Sequence, residues 1–262
     1  MEKRERIERL AQTEEDKVLL ARLYDRLHGA ACRNVPSAGP FLSPRELALA
    51  RQLLAGPEFQ AFGGYEGAER TVLCHIPDYL DREEYLYGED GPIRAVSARY
   101  YEGDSLSHRD FLGALMGAGI KRETVGDILV RPGLCQFLVT REIAPHILQS
   151  LESAGRTKLH LSPLPLSELS PPEAETKELH ATVAALRLDS VTAAGFGLAR
   201  GPAAQHIEAG RAAVNGLPCD KPDRLLREGD RVTVRGLGKI ELKTVGGTTR
   251  KGRTGVTILR YV

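Results

Sequence analysis

The 262-residue sequence predicts an α+β protein with an N-terminal helical region, an α+β middle domain, and a C-terminal domain of two short helices on a small β-sheet. Three observations carry this. Between Thr71 and Leu161, segments with strand and helix patterns follow one another as strand, strand, helix, strand, strand, helix, strand. A run with four prolines, Ser162–Thr176, then reads as a linker or strap. Charge also divides the chain: Leu186–Val262 holds 14 basic and 7 acidic side chains, a net +7, whereas the remainder carries −6. The expected boundaries are 1–64 for the helical region, 65–161 for the middle domain, 162–180 for the linker and 181–262 for the basic domain.

Hydrophobic residues make up 42% and charged residues 27%, as in ordinary folded proteins. No apolar run approaches the roughly 20 residues of a membrane-spanning helix. The opening MEKRERIERL is charged throughout, unlike a secretory or transit leader, so a cytoplasmic location and no membrane partner are expected. Cys32, Cys74, Cys135 and Cys219 stand far apart with no CxxC pair, which predicts four buried, reduced thiols and no metal site.

The elements follow in order. Thr13-Glu14-Glu15-Asp16 supplies an N-cap and first-turn acids for a helix with Val18, Leu20, Leu23 and Leu27 on its inner side and Gly29 as its stop. Ser43-Pro44-Arg45-Glu46 starts a second helix with a capping box and Pro at the first position. After the glycine-rich FGGYEGAER, the β-branched and aromatic content of Thr71–Ile76 and Ile93–Tyr101 predicts strands. Ser107 caps HRDFLGALMGAG, with Asp110 three residues on. DILV and CQFLVT read as strands around the turn Arg131-Pro132-Gly133. Thr140 is expected to cap a helix over REIAPHILQSLESAG, and TKLHL is the last strand. The strand order suits an RRM-like or ferredoxin-like fold. The aromatic signature of an RNA-reading RRM sheet is missing, and Tyr65–His160 is acidic, with 11 basic and 15 acidic residues. Docking to protein or ribosome is therefore expected there ahead of base stacking.

Sequences that imitate catalytic motifs fail on context. His108-Arg109-Asp110 spells the start of a kinase catalytic loop, but Leu115 stands where that loop needs Asn. Gly247–Thr254, GTTRKGRT, approaches a phosphate loop, yet the strand-like GVTILRYV follows it instead of a helix, so a basic hairpin tip is expected. FGGYEGAER lacks the spacing of a dinucleotide fingerprint. No catalytic constellation, cofactor motif or small-molecule site is recognisable, and a non-enzymatic protein is expected.

In the basic domain, Leu188, Val191 and Phe196 give one short helix its apolar side. Ala203, Ala204 and Ile207 do so for a second, with Gly201 as cap, Pro202 at the first position and Gly210 as stop. Asn215-Gly216 suits a type I′ hairpin turn, and Arg231–Val234 alternates as a half-buried strand does. The segments RLD, AR, AAQHIEAGRAAVNG and EGDRVTVRG, over about 60 residues, resemble the RNA-binding domain named after the fourth protein of the small ribosomal subunit, the S-four domain. FGGYEGAER and SHRDFLGALMGAGIKRETVGDI resemble the bacterial YlmH family, cytosolic proteins that carry an S-four domain at the C-terminus. Together the resemblance runs from about Phe59 onward.

The resemblance implies binding to structured RNA, rRNA or tRNA, on a large ribosomal subunit carrying stranded peptidyl-tRNA, in ribosome-associated quality control, with a further link to cell division. The family's RNA-facing positions fall on Arg187, Arg200, Gln205, Arg211 and Asn215, with Arg235 and Lys239 beyond them. Asp189 matches the motif and is expected as an N-cap or an arginine partner. This sequence departs from the pattern at Ala199, where Ser or Thr is common, and at Gly201-Pro202, where a base is common. Arginine suits such a site because its planar fork pairs with phosphate oxygens, and duplex RNA offers phosphates and 2′-hydroxyls more readily than bases. Backbone amides at the start of the Pro202 helix would add a small anion site. The rival readings are an RNA-modifying enzyme of the pseudouridine-synthase type, whose catalytic Arg-Leu-Asp the segment Leu186–Asp189 echoes, and a division factor with incidental RNA binding. Arg187 and Arg200 are at no obvious core position, so replacing either by Ala is expected to cost little stability.

Overall fold

Thr13 and Asp16 lock the start of the first long helix. Thr13 Oγ1 accepts from the Asp16 amide, and Asp16 Oδ2 accepts from the Thr13 amide, each at 3.1 Å. The computed structural model describes residues 3–171, 175–249 and 252–261. They fall into two units, Met1–Pro172 and Glu173–Val262. The first opens with α1 (Lys3–Leu10), α2 (Glu14–Cys32), β1 (Ser37–Leu42), α3 (Pro44–Leu53), β2 (Phe59–Phe62) and β3 (Thr71–His75). α2 passes through Gly29 rather than stopping there; Leu20, Leu23 and Leu27 are buried, but Val18 faces solvent. α3 begins as expected, with Ser43 and Glu46 capping each other.

Asp16 is only 4% exposed, and Arg45 grips both its oxygens, at 2.8 and 2.6 Å. Arg45 holds the Asp16 carboxyl down from its ordinary 3.8 to about 2, against the opposing effect of burial. A depressed folded value stabilises the protein above the ordinary pKa and loses that contribution as pH falls through the folded one. Arg45→Ala should therefore cost about 2 kcal/mol in urea unfolding at pH 5. The difference from wild type should shrink toward pH 2.

The region expected to be helical, 1–64, is not purely so. β1 and β2 flank β3 in an antiparallel sheet ordered β1-β3-β2, so the sheet crosses the expected boundary at 64. Gly39 and Pro40 lie inside β1 and dilute its strand signal, and its pairing with β3 is non-local. Phe41 nevertheless becomes one of the largest fully buried side chains.

The chain continues with α4 (Arg82–Tyr87), β4 (Ile93–Arg99), α5 (His108–Gly117), β5 (Val125–Arg131), β6 (Leu134–Thr140), α6 (Ala144–Ser150), β7 (Ser153–Ala154), β8 (Thr157–Lys158) and β9 (His160–Leu164). A wholly antiparallel sheet ordered β5-β6-β4-β9 forms from β4-α5-β5-β6-α6-β9, the split βαβ connectivity. β3, expected in this domain, is absent from its sheet. α6 starts at Ala144, not after Thr140, and the expected helical LESAG instead ends the helix and opens the β7–β8 hairpin. α5 and α6 cover one sheet face, where Val96, Ala98, Cys135, Phe137 and Val139 pack with Phe111, Leu115 and Ile147. On the other face Ala95 and Leu138 join Phe41, Phe62 and Val72 in a second core. The surface that an RRM uses for RNA is thus closed along most of its length.

Gly126 makes that closure possible. A Cβ there would lie 2.6 Å from Phe41 Cε1 and 3.1 Å from Leu138 Cβ, and both neighbours are buried. Gly126→Ala should destabilise the protein by about 1–3 kcal/mol through overpacking. Urea titration would show a lower midpoint, with far-UV circular dichroism unchanged. The next residue, Asp127, accepts from Tyr65 Oη (2.7 Å) and from the amides of Glu69 (2.7 Å) and Arg70 (2.9 Å). The FGGYEGAER loop and the VGDI segment, 50 or more residues apart in sequence, are one structural joint.

The span expected as a linker, 162–180, holds ordered structure at both ends. Its first residues complete β9 and its last belong to β10 (Thr176–Val183); residues 172–174 lie outside the described residues. Pro163 fits within β9 because β9 is an edge strand, and Pro165 follows the strand's end. The second unit continues with α7 (Leu188–Phe196), α8 (Arg200–Glu208), β11 (Ala212–Val214), β12 (Leu217–Pro218), β13 (Arg231–Val234), β14 (Gly238–Thr248) and β15 (Thr254–Tyr261). Its antiparallel sheet runs β10-β15-β14-β13-β11-β12, so the basic domain starts earlier than 181. α7 sits so close that a Cβ on Gly195 would lie 2.7 Å from Ile240 Cδ1. Asn215 and Gly216 both have positive φ, 51° and 82°, as a type I′ turn requires. The tip expected at Gly247–Thr254 joins β14 to β15, with Arg250 and Lys251 outside the described residues. Cys74, Cys135 and Cys219 are buried, but Cys32 is exposed, contrary to expectation.

Candidate nucleic-acid interface

Asp189 organises the start of α7. Its backbone amide donates to Pro222 O and that of Leu188 to Arg224 O, so the segment before α8 is tied to the loop after β12. The side chain is 5% exposed. Arg200 Nε donates to Oδ2 at 2.9 Å, Arg187 Nε to Oδ1 at 3.3 Å, and Ser190 Oγ to Oδ1 at 3.1 Å. Burial alone would raise the carboxyl pKa; the bonds from Arg200, Arg187 and Ser190 outweigh it and hold it below 3.8. Arg187 is the N-cap residue of α7, so of its two expected roles Asp189 takes that of arginine partner. Both carboxylate oxygens are occupied by donors, and this aspartate is not poised as a nucleophile.

The two guanidinium groups keep outward capacity. Among the described residues, no group accepts from Arg200 Nη1 or Nη2, and the Arg200 side chain is 56% exposed against 37% for Arg187. One carboxylate faces two guanidiniums, leaving one positive charge in excess. α8 begins at Arg200 with Ala199 as its cap, two residues before the expected start. Pro202 therefore falls at the third helical position, where it removes an amide that an anion site would use.

The remaining expected positions spread from this pair. Gln205 is exposed on α8. Arg211 and Arg235 meet beyond the helix, joined by Arg235 N donating to Arg211 O at 2.9 Å, and both side chains are exposed. Lys239 alternates with Ile240, which packs under α7, so it points to the opposite face of the sheet. Its ammonium lies 4.6 Å from the centre of the Tyr261 ring. On the same face, Glu241 accepts from Arg231 Nε (2.7 Å) and Tyr261 Oη (3.0 Å). Asn215 is bound within its turn: Nδ2 donates to Asp230 Oδ1 at 2.7 Å and Oδ1 accepts from the Arg231 amide at 2.9 Å. The structure thus brings Arg187 and Arg200 together and pairs Arg211 with Arg235. It separates Lys239 from α7 and commits Asn215 to the hairpin.

No helix among the described residues is long and apolar enough to cross a membrane, and no group of three or more His, Cys, Asp or Glu could hold a metal ion there. Residues 98–168 match the family model described as "Putative RNA-binding domain in YlmH". Over 225 residues the chain is 33% identical to the "Ribosome-associated protein quality control protein P2" of Bacillus subtilis (strain 168), covering 84% of this chain and 85% of that protein. Among solved structures it is similar to the "Cell division protein ylmH from Streptococcus pneumoniae", at 21% identity and a TM-score of 0.49, over 60% of this chain and 96% of the other.

Proposed function

Because this chain belongs to the YlmH family, we propose that it is a ribosome-associated RNA-binding protein whose second unit is an S-four domain for structured rRNA or tRNA. Its place is on the large subunit carrying a stranded peptidyl-tRNA, in ribosome-associated quality control. The observation that carries the reading is the pair of arginines that buried Asp189 holds at the helix start. A guanidinium fixed through its Nε by a carboxylate keeps terminal N–H groups for phosphate oxygens and loses less side-chain entropy on binding. Arg187, Arg200, Gln205, Arg211 and Arg235 are the proposed RNA contacts. Lys239 serves an RNA that reaches round to the other sheet face, and Asn215 acts by setting the hairpin.

The name of the Bacillus relative and the matched RNA-binding family support this role. Neither names an enzyme, and the doubly bonded Asp189 gives no support to a synthase-like nucleophile. Crosslinking in cells followed by RNA sequencing tests the assignment. Reads should concentrate on large-subunit rRNA and tRNA. A profile no richer in these than that of an untagged control would sink it.

A further inference from the structure

The four-stranded sheet of the first unit ends in a basic row. In β5-β6-β4-β9 order, Arg131 pairs with Leu134, Leu134 with Arg99, and Arg99 with His160. Direct pairing puts these four side chains on one face, the face that faces away from α5 and α6. Two rows lie deeper on it. Ala95, Leu138 and Leu164 form the first, packed in the core with Phe41 and Phe62. Ser97, Gln136 and Leu129 are the buried members of the second, which ends at exposed Ser162 on the edge strand. Gln136 there bonds to Ser170 N and Glu168 O, so the chain after β9 lies over this row. The last row opens to solvent, with Arg99, Arg131 and His160 exposed.

Just beyond Arg99 the chain turns its two tyrosines opposite ways. Tyr100 is buried against Phe111 and bonds to Arg131 O. Tyr101 is 77% exposed, more than any other large hydrophobic residue described. No described residue forms an ion pair with Arg99 or Arg131. Arg131 spends one N–H on Pro171 O at 3.3 Å, and Glu102, whose Cα and Cβ lie beside Gly133, forms no ion pair among the described residues. Arg99 and Arg131 are two strands apart, about 10 Å at ordinary strand spacing.

We propose that this row is a second RNA contact, for an unpaired nucleotide: Tyr101 stacks on the base while Arg99 and Arg131 hold flanking phosphates and His160 donates beside them. It rests on the RNA-binding role proposed above and assigns that role a location within residues 98–168. Basic side chains beside an exposed aromatic ring are the pattern of single-strand recognition, tolerant of sequence because every base has a π-face. The closed sheet face leaves this edge as the place where such a contact can form.

The test uses the full chain and two fluorescein-labelled RNA hairpins, one blunt and one with a short 3′ uridine tail. Wild type should bind the tailed hairpin at least about fivefold more tightly, the lower end for one base–aromatic stack. Tyr101→Ala, and separately the double variant Arg99→Ala/Arg131→Ala, should lose that increment and bind the blunt hairpin as wild type does. Replacing Arg187 and Arg200 by Lys should weaken both hairpins and keep the increment. Equal binding of the two hairpins by wild type, or an increment that survives Tyr101→Ala, overturns the proposal and leaves the second unit's role standing. Loss of ribosome co-sedimentation by Tyr101→Ala with the tail increment intact would make this edge a protein-docking surface and also overturn it. Failure of both hairpins to bind overturns the RNA role as a whole.

Discussion

RNA affinity of the second unit should fall about 150- to 500-fold between 50 and 200 mM monovalent salt. With four or five phosphates neutralised by Arg187, Arg200, Arg211, Arg235 and Lys239, the logarithmic slope is about −3.6 to −4.5, and a fourfold rise in salt gives that loss. The lower figure applies if Lys239, on the far face of the sheet, makes no contact. The fragment must begin before Thr176, because a start at 181 would cut through β10, which pairs with β15 from Thr176 to Val183. Fluorescence anisotropy with an rRNA or tRNA stem at four salt concentrations measures the slope. A flat line would remove the electrostatic basis of the interface.

The second large effect concerns stability. Judged as surface residues, Arg187 and Arg200 would each cost little when replaced by Ala. The structure overturns that expectation, because both are partners of the carboxylate of a residue that is 4% exposed. Removing both leaves Asp189 with Ser190 as its one described side-chain donor. Arg187→Ala/Arg200→Ala should destabilise the second unit by about 3 kcal/mol, the lower part of the range for an orphaned buried charge. Adding Asp189→Asn should restore a large part of the loss, since no charge is then stranded. RNA binding should stay weak in the triple variant, with the salt slope shallower by about two. Urea unfolding and anisotropy on the same samples separate the two effects. If the double variant melts like wild type, Asp189 is not the clamp described here. Arg22→Ala, on α2, is the control expected to leave RNA binding unchanged.

Local chemistry was legible wherever it acted over a few residues. Thr13, Ser43 and Ser107 mark helix starts through side chains three positions apart, and Asn215-Gly216 announces its turn through positive φ. Four of the five strands expected in the middle domain do share one sheet, because they alternate with two helices in a recognised order; the fifth, β3, pairs with β1 and β2 instead. β1 was not legible, since a strand containing Gly39 and Pro40 is stabilised by β3 about 30 residues away. α4, six residues long, has too few turns for a periodic pattern. The helix expected through LESAG stopped early because Leu159 N and Glu152 O close a hairpin there.

The sequence by itself determined the fold class, the charge division between the two parts and the family, because composition, periodicity and a motif at fixed spacing survive without coordinates. It also singled out Arg187 and Arg200. Only the tertiary structure decided what they do before any ligand arrives. Sequence spacing cannot reveal that Arg200, eleven residues on, returns to the carboxylate of Asp189, nor that the carboxylate is buried. The same holds for the four-stranded sheet of the first unit: its alternation of strands and helices was visible in the chain, but that β3 leaves it, and which face remained open, depended on Phe41, Phe62 and the segment after β9 folding over it. Burial and ion pairing are set by residues distant in sequence, and those distances exist only once the chain has packed.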